Sequence, residues 1–78
     1  MDINLYRKVN SHMVNNNLLL RTWRYNGQRN LAFVDASRRD ETTIYADDPV
    51  NLEDCGLSLN NGVITVNYKG AKDFINID

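Results

Sequence analysis

Hydrophobic and polar positions alternate along much of this chain, and the alternation is sharpest between residues 57 and 68. Leu57, Leu59, Ile64, Val66 and Tyr68 fall on one side, and Ser58, Thr65 and Asn67 on the other. Asn61-Gly62 divides the two runs. Both residues accept the positive φ that a type I′ turn requires, so the segment predicts a hairpin with one buried and one solvated face. A second Asn-Gly pair, Asn26-Gly27, separates Leu18–Tyr25 from Gln28–Asp35. A two-residue loop there sets Tyr25 opposite Gln28, Arg24 opposite Arg29, Thr22 opposite Leu31 and Leu20 opposite Phe33. One face then collects Leu18, Leu20, Leu31 and Phe33. The other collects Leu19, Arg21, Trp23, Tyr25, Asn30, Ala32 and Val34. The first face is the more uniformly apolar and is expected to turn inward.

The N-terminal segment has a different period. Leu5, Val9 and Met13 recur every four residues with Tyr6 beside them, which predicts a helix from Ile3 to about Val14. Asp2 can cap it, and Asn15-Asn16-Asn17 can end it. Ile3-Asn4-Leu5 and Arg7-Lys8-Val9 also fit a strand, which leaves a small all-β barrel as the alternative. Ala36 to Glu41 reads as a charged loop, and Thr42 to Ala46, β-branched and aromatic, as a short third strand. Asp47-Asp48-Pro49 resembles a helix start, with Asp48 at the cap and Pro49 in the first turn, where a missing N–H does no harm. One or two helical turns over Pro49–Cys55, closed by Gly56, are expected. Lys69 to Lys72 reads as a turn and Phe74 to Ile77 as an edge strand. Together these elements predict an α+β fold, with a small antiparallel sheet or partly open barrel built on two Asn-Gly hairpins. An N-terminal helix and one short helix complete it.

Length narrows the choice of function. Seventy-eight residues suffice for one small domain, expected to span 1–78, with little core to spare for an enclosed reaction chamber. The single cysteine, Cys55, cannot form an internal disulfide. No apolar stretch is long enough to cross a bilayer as a helix, and Met1-Asp2-Ile3-Asn4 lacks the basic start of a signal peptide. A cytoplasmic protein without a membrane partner is expected.

Net charge is −1, but the halves differ. Residues 1–39 carry seven basic and two acidic side chains, net +5, and residues 40–78 carry two basic and eight acidic, net −6. Such a split marks either a polyanion-binding half or two halves that neutralise each other on packing.

Candidate chemistry is sparse. His12 is the only histidine and Cys55 the only cysteine, so no zinc set can be assembled from them. The acidic run from Asp47 to Asp54 lacks the alternating ligands, central glycine and terminal glutamate of an EF-hand loop. Cys55 before Gly56 reads as a small buried hydrophobe and His12 as a surface or capping residue, not as a nucleophile and its base. No glycine-rich phosphate loop occurs. No catalytic residue, metal or cofactor is expected, and no motif identifies a family.

The first hairpin is more informative. If its Leu20 face is buried, Arg21, Trp23 and Tyr25 project from the opposite face, unless a helix covers them and Trp23 is core. Trp, Tyr and Arg are the types that dominate interface hot spots, each often contributing about 2 kcal/mol when a partner buries it. Arg24 and Arg29 face each other near the tip, a mildly destabilising pairing that a bridging anion would relieve. Glu41, Asp78 or a shifted register are the local alternatives. The candidate binding residues are therefore Arg21, Trp23, Arg24, Tyr25 and Arg29. They suit a non-enzymatic protein-binding module, an inhibitor or adaptor of the kind phages and mobile elements encode, occupying an acidic-rimmed surface on a larger protein. Nucleic-acid binding is the alternative, since aromatics interleaved with arginines serve stacking and phosphate contact. Against it stands the lack of a net basic footprint. A structural subunit that assembles through edge strands is the third reading.

Overall fold

A capped helix begins the chain. The Asp2 carboxylate accepts from the Asn4 amide at 2.9 Å and the Leu5 amide at 3.4 Å. It thereby satisfies donors that a helix leaves without partners. Helix α1 runs Ile3–Asn15 and ends where Asn16 donates back to the His12 carbonyl at 3.1 Å. Asn17, at φ 54°, then turns the chain into the first strand. The α1 stripe faces inward as its spacing predicts: Val9 is fully buried, with Leu5, Tyr6 and Met13 packed against the core beside it. The computed structural model describes residues 2–37 and 48–77.

The strands are β1 (Leu18–Tyr25), β2 (Gln28–Asp35), β3 (Asp48–Pro49), β4 (Gly56–Asn60), β5 (Val63–Tyr68) and β6 (Ala71–Asn76). Both Asn-Gly pairs make the expected turns, with Asn26 and Asn61 at φ 51° and 52° and Gly27 and Gly62 at φ 77° and 76°. The β1–β2 register is the one a two-residue loop dictates, with Arg24 opposite Arg29 and Leu20 opposite Phe33. The α+β class holds, and among the described residues the strands divide into two antiparallel three-stranded sheets, ordered β2-β1-β3 and β4-β5-β6, that do not close into a barrel.

Three local expectations are corrected. Asp48 and Pro49 do not start a helix; they form β3, with Pro49 opposite Arg21 and Asp48 opposite Thr22. Proline tolerates an edge strand because no donor is needed on its outer side. Val50 follows by donating its amide to the Leu20 carbonyl at 3.0 Å and is itself buried. The short helix survives as one 3₁₀ turn, Leu52–Asp54, with Asn51 at its start and Cys55 at its end, while Gly56 opens β4. The last turn shrinks to Lys69-Gly70, so the final strand starts at Ala71 and not at Phe74. The proposed strand Thr42 to Ala46 lies outside the described residues, as do Arg38, Arg39, Glu41 and Asp78.

The core lies where the Leu20 face of the first sheet, the Ile64 face of the second and α1 converge. Leu20, Ile64, Val66 and Val9 are its most deeply buried side chains. The two sheets approach each other along β2 and β6. There the Asp73 carboxylate accepts the Phe33 amide through Oδ2 at 3.1 Å and the Phe74 amide through Oδ1 at 2.9 Å. An edge amide of one sheet is thus satisfied by a side chain of the other.

Candidate functional site

Arg24 and Arg29 lie on the inward face of the first hairpin, beyond the point where the core ends. Strand alternation carries Leu20 and Thr22 into the interior and sets the next inward pair, Arg24 and Arg29, at the tip. Thr22, 3% exposed, donates its hydroxyl to the Asn30 carbonyl at 2.9 Å. Its Oγ1 accepts from Arg29 Nη1 at 3.2 Å. This relay fixes the Arg29 guanidinium. Arg24 is tied more loosely, its Nη1 donating to the Gly27 carbonyl at 3.4 Å.

The second sheet adds a third cation. The turn after β5 places Lys69 Nζ 5.3 Å from the centroid of the Tyr68 ring. Arg29 Cζ lies 5.9 Å from the same centroid. Both separations suit a cation–π contact, so one half-buried tyrosine gathers two like charges. Between the two tips lies an open cleft of about 500 Å³ lined by Arg24, Gly27, Gln28, Arg29, Lys69 and Gly70. No acidic residue is among the described residues that line it.

Comparison with known proteins gives no parallel. No family model, curated protein or solved structure matches the chain.

The five residues singled out from sequence divide into two groups. Arg24 and Arg29 share the cleft. Arg21, Trp23 and Tyr25 occupy the opposite face of β1, away from α1, which packs on the Leu20 side. Tyr25 is 70% exposed, whereas Trp23 and Arg21 are half-buried. Val34, on that same outer face, is buried outside the main core, so the face is covered in part. Trp23 is accordingly neither a core residue nor a freely projecting one.

Lys69 and Tyr68 were not among the candidates, although a signal for them is present. Tyr25-Asn26-Gly27 and Tyr68-Lys69-Gly70 share one Tyr-X-Gly pattern, and both X residues take a left-handed backbone, φ 51° and 49°.

The other reactive side chains are placed apart. Cys55 donates its thiol to the Asn51 carbonyl at 3.6 Å, and burial, then the Asp54 charge, raise its pKa. His12 sits at the end of α1, with its ring nitrogen Nδ1 3.5 Å from Asn16 Nδ2, beside a second groove of about 420 Å³ that Ile77 also lines. Among the described residues, no three His, Cys, Asp or Glu side chains gather in a group able to hold a metal ion. No described helix is long and apolar enough to cross a membrane.

Proposed function

We propose that this chain is a non-enzymatic protein-binding module, an inhibitor or adaptor that occupies a surface on a larger protein with its first hairpin. One observation carries the reading. An exposed Tyr25 stands at the same hairpin end as a cleft that collects Arg24, Arg29 and Lys69. Tyr25 on the outer face of the tip and the cations on its inner face supply apolar area and directed charge to a partner that grips the tip, and Tyr and Arg are residue types found at interface hot spots. The half-buried Trp23 extends that surface along β1. A cytosolic setting suits a chain whose one thiol has no internal partner.

Affinity capture from the source cells with wild-type, Trp23→Ala and Tyr25→Ala chains tests the proposal. The expected outcome is one salt-tolerant protein partner, retained by the wild type and lost or strongly reduced in both variants. Equal capture by all three would place the interface elsewhere. The same exposed tyrosine and cations would also serve stacking on single-stranded nucleic acid. That reading predicts binding that collapses steeply with added salt and falls further in Arg24→Ala and Arg29→Ala.

A further inference from the structure

We infer that the cleft between the first hairpin tip and the β5–β6 turn is an oxyanion site that takes the carboxylates of an acidic peptide segment. The inference rests on reading the hairpin end as the working surface, and it adds the chemistry of what is bound there. Two observations carry it.

The first is the gathering of like charges. Arg24 and Arg29 stand directly across β1 and β2, where a cation opposite a cation is disfavoured. Lys69 is brought to the same cleft from the other sheet, and Tyr68 holds both Arg29 and Lys69 at its ring. Each guanidinium commits one N–H-bearing nitrogen internally, to Gly27 or to Thr22. A guanidinium carries five N–H donors in a planar fork, so both keep groups suited to a carboxylate.

The second is the backbone of Lys69. Among the described residues, three two-residue turns begin with a left-handed residue, and two of them use asparagine, Asn26 and Asn61. The third uses lysine at φ 49°. Asparagine occupies that region more readily than a long side chain does. The turn therefore departs from the residue the chain uses elsewhere, and the substitution puts an ammonium into the cleft. Strained backbone clusters at working sites, and here the strained residue is the one whose charge lines the cleft.

A carboxylate-bearing segment fits better than a nucleic-acid strand. The three cations lie in one cleft of about 500 Å³ and do not form a track. The chain as a whole is net −1 and so lacks the extended basic footprint that a nucleic-acid strand requires.

The test is an amide-resolved NMR titration of the full chain, at low salt, with blocked tetraglutamate and, separately, a tetrathymidylate. Tetraglutamate is expected to shift the amides of Gly27, Gln28, Arg29, Lys69 and Gly70 saturably and to bind more tightly than the oligonucleotide. Lys69→Asn keeps the turn, because asparagine already serves at the other two. It is expected to weaken the peptide about fivefold, the loss of one exposed ion pair, without lowering the melting temperature. Unshifted cleft amides, or unchanged affinity in a folded Lys69→Asn chain, would overturn the inference. Tighter binding of the oligonucleotide would overturn it in favour of a nucleic-acid site. If tetraglutamate fails to bind while Trp23→Ala still loses the captured partner, the hairpin interface stands and the oxyanion assignment falls.

Discussion

Cys55 is 7% exposed and gives its proton's hydrogen bond to the Asn51 carbonyl. Burial first, and the Asp54 charge second, raise its pKa, so the folded chain holds the thiol proton to a higher pH than the unfolded chain does. The contribution to stability is intact below the unfolded thiol pKa and is lost as pH rises past it toward the folded value. Denaturant midpoints are expected to fall further for wild type than for Cys55→Ala between neutral pH and about pH 10, above the ordinary thiol value of 9.0. Identical falls would contradict this. The burial of Cys55 was legible from its place before Gly56, because a lone cysteine behaves as a small hydrophobe. Lys69 was not legible in the same way. A lysine in a turn ordinarily reads as solvated charge, and its meaning depends on where the other sheet's turn delivers it. Trp23 stands between the two cases: its face followed from alternation, but its half-burial depends on what lies over that face.

The hairpins were the most legible elements, since a two-residue turn sets the register of every pair behind it. Gly27 and Gly62 sit at φ 77° and 76°, and a Cβ at either would meet nothing within 4 Å. The penalty for alanine is therefore backbone strain alone, roughly 1–2 kcal/mol. Gly27→Ala and Gly62→Ala are expected to destabilise the chain by similar amounts in urea unfolding, although only Gly27 lines the cleft. A clear difference would mean that side-chain packing contributes at one of the turns. The segment from Asp48 departs from the expected helix start for a specific reason. Asp-Pro satisfies the pattern of a helix start, but a residue without an N–H fits an edge strand equally well. Long-range packing made the choice: Val50 and Leu52, two positions apart, are both buried, and the Val50 amide pairs with Leu20. The period of four in α1 competed with a strand reading of the same residues, and it prevails because Leu5, Tyr6, Val9 and Met13 face one core.

At the scale of the whole molecule, the division into two sheets could not be read from the chain. Pairing within each hairpin is local, whereas the β2–β6 seam depends on Phe33 and Asp73, 40 residues apart. Asp73 uses both carboxylate oxygens there, each as an acceptor. Asparagine offers one acceptor and presents an NH₂ where a second is needed, so Asp73→Asn is expected to cost about 1–3 kcal/mol. Faster hydrogen exchange at the Phe33 amide, beyond the change at mid-strand β1 amides, would locate the loss at the seam. Uniform acceleration would place it elsewhere. The cleft straddles the same division, with Arg24 and Arg29 on one sheet and Lys69 on the other. A guest that touches all three recognises the docked arrangement and has no counterpart site when the sheets part. If the proposed guest binds there, it binds the folded chain alone, and its concentration adds to the stability of the shared core.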